Sequence, residues 1–311
     1  MVKIHPTWYR GLFVLLFSLA VLTVLASACG GTQTSSATPT PGVTPTQAPT
    51  GSIPSSLPTL TVMAMDYNFK IPATVNAGMM VVTFINDGKE PHELSFLRMN
   101  EGVTVQQFKT ALEKDPATSF ALTKWHGGVA TIMAGQSERA VVTLDPGQYV
   151  LACFVESPNG LPHFIEGMFT PFKVVMASAS QTQPTADGEA IIKNFSYTLP
   201  TIHSGTMILK VTNQDPMAHE MNLLKLADGK TMQDVMAFLH KKKGPPPLNA
   251  KTYGPAPYTY AGGAQPIEHG MSVWVELNLQ PGTYVALCFV PDPQTHLSHV
   301  DEGMIKQFTV Q

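Results

Sequence analysis

The chain has 311 residues, 44% of them hydrophobic and 13% charged, with a formal net charge of −3. That length suffices for two domains of ordinary size, and the apolar share suffices for packed cores. The slight negative balance argues against a nucleic-acid surface, and the one dense basic run, Lys241-Lys242-Lys243, reads as a solvated helix end.

Residues 1–28 read as a signal peptide. Lys3 and Arg10 precede an apolar run from Gly11 to Ala28, and small residues lead into Cys29. The stretch Leu25-Ala26-Ser27-Ala28-Cys29 resembles a bacterial lipoprotein box, although Ala26 stands where leucine is commonest in that family and Leu25 comes one place early. The resemblance implies lipidation of Cys29 and anchoring to the outer face of the cytoplasmic membrane. Two other readings fit the same run: an uncleaved membrane anchor, since 18 residues are barely enough to span, or an ordinary signal whose cleavage releases a periplasmic or extracellular chain. All three put the body of the protein outside the cytoplasm. Residues 29–58 then supply the lipid-anchor cysteine and a Ser/Thr/Pro tether with almost no large apolar side chain to bury.

Two copies of one pattern follow, over residues 59–177 and 188–311, joined by a polar linker at 178–187. Short runs of alternating apolar residues between Gly, Pro and Asn predict strands: MVVTFIN, RAVVTLD and QYVLACF in the first copy, MILKVTN, SVWVELN and TYVALCF in the second. TVQQFKTAL and TMQDVMAFL have helical spacing and open on Thr104 and Thr231, each suited to an N-cap and each twelve residues past an equivalent histidine. The copies run without a gap from Gly127 to Cys153 and from Gly262 to Cys288, and differ by an eight-residue insertion between Leu239 and Gly262. Each copy is expected to be an all-β sandwich with one short helix on a connection.

Each copy also presents the same four side chains in the same order: His92, Cys153, His163 and Met168, then His219, Cys288, His299 and Met304. Two imidazoles, a thiolate and a weak thioether are the donors of a blue-copper electron-transfer centre. The first histidine opens a strand after a turn, the cysteine ends a strand on its core-facing side, and the second histidine and the methionine share the following loop. Four residues separate His163 from Met168, and four separate His299 from Met304. Exported proteins usually pair their cysteines. A bond between Cys153 and Cys288 would join equivalent interior positions of two domains, so ligation is the better reason for two thiols.

FINDGKEPHELSF and the Cys–loop–His–four residues–Met arrangement resemble the cupredoxins, the plastocyanin and azurin superfamily. The resemblance implies two tandem Greek-key β-sandwiches, up to two copper ions per chain, and the eight residues above as ligands. It also implies a single-electron carrier that works with a redox-partner protein or a membrane electron-transfer component. The spacing departs from plastocyanin: nine residues lie between Cys153 and His163, and ten between Cys288 and His299. That leaves His296 as a rival to His299.

Other readings remain. Copper capture or delivery would use the same ligands, a metal-free binding module would use none of them, and zinc is disfavoured by the thioether. An enzyme is not expected: no His-x-His occurs, and Ala152 and Leu287 precede the cysteines where copper oxidases and nitrite reductases place histidine. Glu93 and Glu220, one after each first histidine, either anchor the ligand strand by hydrogen bonds or are only solvated, and solvation is the favoured expectation.

Overall fold

A computed structural model describes residues 50–177, 182–242 and 254–311. The signal peptide, Cys29 and most of the tether lie outside the described residues, as do Lys243 and part of the linker. No helix among the described residues is long and apolar enough to cross a membrane.

The first repeat contains β1 (Thr59–Met65), β2 (Asn68–Lys70), β3 (Thr74–Asn76), β4 (Gly78–Asn86), β5 (His92–Met99), α1 (Val105–Lys114), α2 (Pro116–Ser119), β6 (Thr123–Ile132), β7 (Ser137–Leu144), β8 (Gly147–Ala152) and β9 (Phe169–Val175). The second contains β10 (Gly188–Lys193), β11 (Ser196–Thr198), β12 (Gly205–Asn213), β13 (His219–Leu226), α3 (Met232–Lys242), β14 (Tyr258–Ile267), β15 (Ser272–Leu279), β16 (Gly282–Leu287) and β17 (Ile305–Val310). This is the expected all-β architecture, with a second short helix in the first repeat. Thr104 caps α1 in a capping box with Gln107, as the sequence pattern requires.

The repeats share two continuous sheets. One runs β11-β10-β12-β15-β7-β4-β1-β2 and the other β17-β16-β13-β14-β6-β5-β8-β9-β3. The seam is therefore two antiparallel pairs, β15 with β7 and β14 with β6, each made of equivalent strands. Arg139 and Glu276 form an ion pair across it at 2.8 Å. Joining edge to edge covers four strand edges, two that each sandwich alone would expose. It also explains why β6 is buried along nearly its whole length rather than alternating.

The alternate residues of the strands meet between the sheets, where Phe84, Phe96, Leu151 and Met168 pack in the first repeat and Val211, Leu223, Ala286 and Met304 in the second. Each repeat places a Gly-Gly pair on β6 or β14. A Cβ on Gly128 would stand 1.8 Å from Leu94 O, and one on Gly263 2.1 Å from Met221 O, both at positive φ. Only glycine admits that approach, and the register of β5 on β6 and of β13 on β14 shifts beside it.

The C-terminal end of the stretch read as tether is packed. Leu57 is buried beside Val81 and Trp274 with Ile53 against them, Ser52 bridges Thr185, and the backbone N–H groups of Thr50 and Gly51 donate to Asp187. Ile53 and Leu57 are the two large apolar residues that this segment can bury. The described residues hold together as one compact unit.

Candidate metal centres

Asn86 and Asn213 end β4 and β12 and are fully buried. Asn86 Nδ2 donates to Glu90 O and Ile132 O, and its Oδ1 accepts from Gly88 N. Asn213 does the same with Met217 O, Ile267 O and Asp215 N. Each amide thereby fixes the turn that delivers the first histidine to the start of β5 or β13.

The second histidine and the methionine are placed by backbone bonds that recur in both repeats. Cys153 N donates to Met168 O, Phe164 N to Cys153 O, His163 N to Val155 O, and Met168 N to His163 O. Cys288, Val300, His299 and Met304 repeat all four. The extra residue of the second loop falls within its outer part, which is closed by Pro291 bridging Ser298 where the first loop closes Glu156 on Pro162. The longer spacing therefore leaves the ligand end of the loop unchanged. His296 is exposed near Asp115 at 3.7 Å and stands apart from the centre that contains His299.

Two buried groups result: His92, Cys153 and His163, and His219, Cys288 and His299. In the first, the Nδ1 atoms of the histidines are 3.0 Å apart, and Cys153 Sγ lies 3.9 Å from His92 Nδ1 and 3.4 Å from His163 Nδ1. In the second the corresponding distances are 2.9, 3.8 and 3.3 Å. Met168 and Met304 are buried beside the cysteines. Both thiols are free.

The hydrogen bonds outside each group decide what the inside can hold. In the first repeat His92 Nε2 donates to Asp66 Oδ1 at 2.7 Å and His163 Nε2 to Glu90 Oε2 at 3.0 Å. Both rings then keep a lone pair on Nδ1, and the two lone pairs face each other beside a sulfur. Such a cluster repels itself unless a cation sits among the three atoms, within reach at bond lengths of about 2.0–2.3 Å. Two imidazoles, one thiolate and a nearby thioether suit copper above harder ions. The donor set fits copper in both repeats.

Burial pushes the His163 and His299 imidazoles down to about 4, and lowers His92 and His219 as well. Burial also raises the Cys153 and Cys288 thiols, helped by Glu93 and Glu220 respectively. A metal entering either group must displace the thiol proton. Burial alone would raise Asp66, but the N–H groups of Lys89 and Glu90 and the His92 ring outweigh it and hold the carboxylate down.

Acidifying the metal-free protein should therefore lower its melting temperature. His163 and His299 bind protons near 4 when folded but near 6.5 when unfolded. Between those values the unfolded chain carries more protons, so the stability present above pH 6.5 drains away toward pH 4. Thermal melts across that window should show the decline, and asparagine at both positions should flatten it.

The carboxylates and rings behind the histidines were not found in the sequence, because they come from separate turns. Tyr67 lies against His163 with centroids 4.7 Å apart and donates to Glu90 Oε1, while Phe195 takes its place against His299. The two centres also obtain their first acid differently. In the second repeat Asp215 Oδ1 lies 3.3 Å from His219 Nε2, a charge contact rather than an aligned hydrogen bond. Asp215 aligns with Gly88, and a Cβ on Gly88 would collide with Asp66 and His92. Asp66 in turn aligns with Asn194. The acid has exchanged places between two turns. Met217 stands where Glu90 does, and His299 Nε2 is buried with no hydrogen-bond partner among the described residues.

Glu93 and Glu220, expected in solvent, are buried at 7% and 4% exposure. Each faces away from the metal group into the join between repeats and accepts the N–H that follows the cysteine, from Phe154 or Phe289. Alternation put them on the outer face of a sandwich, but the second repeat covers that face.

No protein-family description matches the chain, and no curated protein does. Among solved structures, the chain is similar to dithionite-reduced auracyanin from Roseiflexus castenholzii, with 21% identity over 38% of this chain and 96% of that one and a TM-score of 0.26. Auracyanin A of Chloroflexus aurantiacus, described as a blue copper protein, gives 15% identity, coverage of 38% and 98%, and a TM-score of 0.27. Copper nitrite reductase from Nitrosomonas europaea gives 14%, coverage of 81% and 93%, and 0.23. In strand layout each repeat of this chain is cupredoxin-like, and each holds a buried His–Cys–His group.

Proposed function

We propose that this protein carries single electrons through two type 1 copper centres, at His92, Cys153, His163 and Met168 and at His219, Cys288, His299 and Met304. The observation that carries this reading is the pair of buried groups whose imidazole lone pairs converge on a thiol. In each, the thiolate supplies the main electronic coupling, the imidazoles complete the trigonal plane, and the methionine is the weak axial ligand. Ligands held by matching backbone bonds in both repeats favour small geometry changes between Cu(II) and Cu(I).

Lipidation at Cys29 would hold the chain at the outer face of the cytoplasmic membrane, next to a redox protein or a membrane electron-transfer component. A carrier is favoured over an oxidase or reductase because Ala152 and Leu287 occupy the positions before the cysteines. It is favoured over a copper-delivery role because His92, His163, His219 and His299 are fully buried, which opposes fast exchange.

The test is an optical spectrum of the reduced chain loaded with Cu(II), with copper counted. An intense blue thiolate band at two coppers per chain is expected. Folded protein that binds Cu(I) tightly but shows no such band would mean delivery, and folded protein that binds no copper would mean a metal-free module.

A further inference from the structure

We propose that the hollow between the two repeats is a binding site for a small organic cation with an ammonium head and an apolar, ring-sized body. The hollow measures about 330 Å³, and equivalent residues from the two repeats face each other across it: Glu93 and Glu220, Trp125 and Tyr260, Phe154 and Phe289. That volume is in the range of small-molecule sites.

The two carboxylates differ in a way that marks one for a ligand. Glu93 is fully engaged: Oε1 accepts from Phe154 N at 2.9 Å, and Oε2 accepts from Thr131 Oγ1 at 3.0 Å and Gln265 Nε2 at 3.3 Å. Glu220 Oε1 accepts from Phe289 N at 2.5 Å, and its other oxygen has no hydrogen-bond partner among the described residues. The repeat explains the difference. The position of Thr131 is held in the second copy by Pro266, which has no donor, and the position of Gln265 is held in the first by Ala130. A carboxylate oxygen without a protein donor is left to water or to a ligand. Here it lines a space large enough to admit one.

The walls select the donor. Trp125, Phe154, Tyr260 and Phe289 present ring surface, which attracts an organic cation by its π face and packs against an apolar body. A bare divalent ion needs six or more oxygens, and ring faces and aliphatic side chains make up most of the walls. An anion would meet four acids, Glu93, Glu156, Glu220 and Asp301. Phe154 and Phe289 are each bonded directly to a cysteine of a candidate metal centre, so an occupant lies one residue from both.

The site does not depend on metal, and its test uses the metal-free, reduced full chain. Calorimetric titration compares benzylammonium with benzyl alcohol, which has the same ring and no charge. Benzylammonium is expected to bind one to one and at least about tenfold more tightly, the difference a charge-assisted hydrogen bond makes. Glu220→Gln keeps an acceptor for Phe289 N and removes the charge, so it should cancel the preference while leaving benzyl alcohol within about twofold. Equal affinity of the two probes for the unaltered protein would show an apolar hollow only, and binding of neither would show a water-filled one. Either result overturns the proposal, and the comparison stands whether or not the variant folds.

Discussion

Cys153→Ser is expected to reduce the copper bound per chain from two to one, and to remove about half of the thiolate absorption. Serine places a neutral hydroxyl where the two lone pairs of His92 and His163 need a soft anion between them, so the ion loses the donor that holds it most strongly. The second centre should be unaffected. Its four side chains come from β13, the end of β16 and the loop after it, and none is shared with the first repeat. Stability gives a second readout. At free copper a thousandfold above the dissociation constant, each occupied site adds about 4 kcal/mol. For a chain of this size that is roughly 10 °C in melting temperature. The variant should lose that increment on loading, while its metal-free form melts within a few degrees of the parent because the hydroxyl can donate to an imidazole. Cys288→Ser should mirror it, and the double variant should gain nothing from copper. Copper counting and melts with and without the ion check the series. Retention of two coppers in Cys153→Ser would mean that the thiol is not a ligand.

Both buried His–Cys–His groups were legible in the sequence because their geometry is local. A strand that ends at the cysteine, a loop that folds back by four backbone bonds and a histidine at the head of the neighbouring strand each follow from short-range pattern, and duplication doubled the signal. What surrounds those ligands was not legible. Asp66 reaches His92 from a turn 26 residues earlier, and no periodicity marks a surface turn as the support of a ring. The Asp66 and Asp215 exchange shows the difficulty: aligning the copies pairs Asp66 with Asn194 and Asp215 with Gly88, so the repeat itself hides an acid present in both. Glu93 and Glu220 misled for another reason. Period-two alternation gives which face of a strand a residue occupies, but it does not say what covers that face. The join of β14 to β6 turned an outer face into an interior, and the near-continuous burial of Thr123–Ile132 is the structural trace of that join. TKWHGGVATI does not announce it, because Lys124, His126 and two threonines interrupt its apolar residues.

The surroundings that differ between the centres should separate their potentials. The first has two carboxylates behind its imidazoles, Asp66 on His92 and Glu90 on His163. The second has none hydrogen-bonded: Asp215 lies 3.3 Å from His219 Nε2, and Asp292 and Glu302 lie within 4.8 Å of the His299 ring without a bond to it. Negative charge favours Cu(II) over Cu(I), so the first centre should have the lower potential and the second should take up an electron first. The size follows from Coulomb's law. Glu90 Oε2 is 3.0 Å from His163 Nε2, which puts it roughly 7 Å from an ion bound at Nδ1. At an effective dielectric constant of about 20 this is roughly 2.4 kcal/mol, or about 100 mV for one electron. Glu90→Gln should raise the potential of the first centre by about that amount and leave the second where it is, while the amide still accepts the hydrogen bond from Nε2 and the copper count stays at two. Glu90→Met, which gives the first repeat the residue at position 217, should narrow the gap between the centres in the same direction. Spectroelectrochemical titration of Cys288→Ser, and of Cys288→Ser combined with Glu90→Gln, isolates the first centre. An unchanged potential would mean that solvent screens Glu90, whose side chain is 21% exposed, and that the two centres owe any difference to something other than the acids behind their histidines.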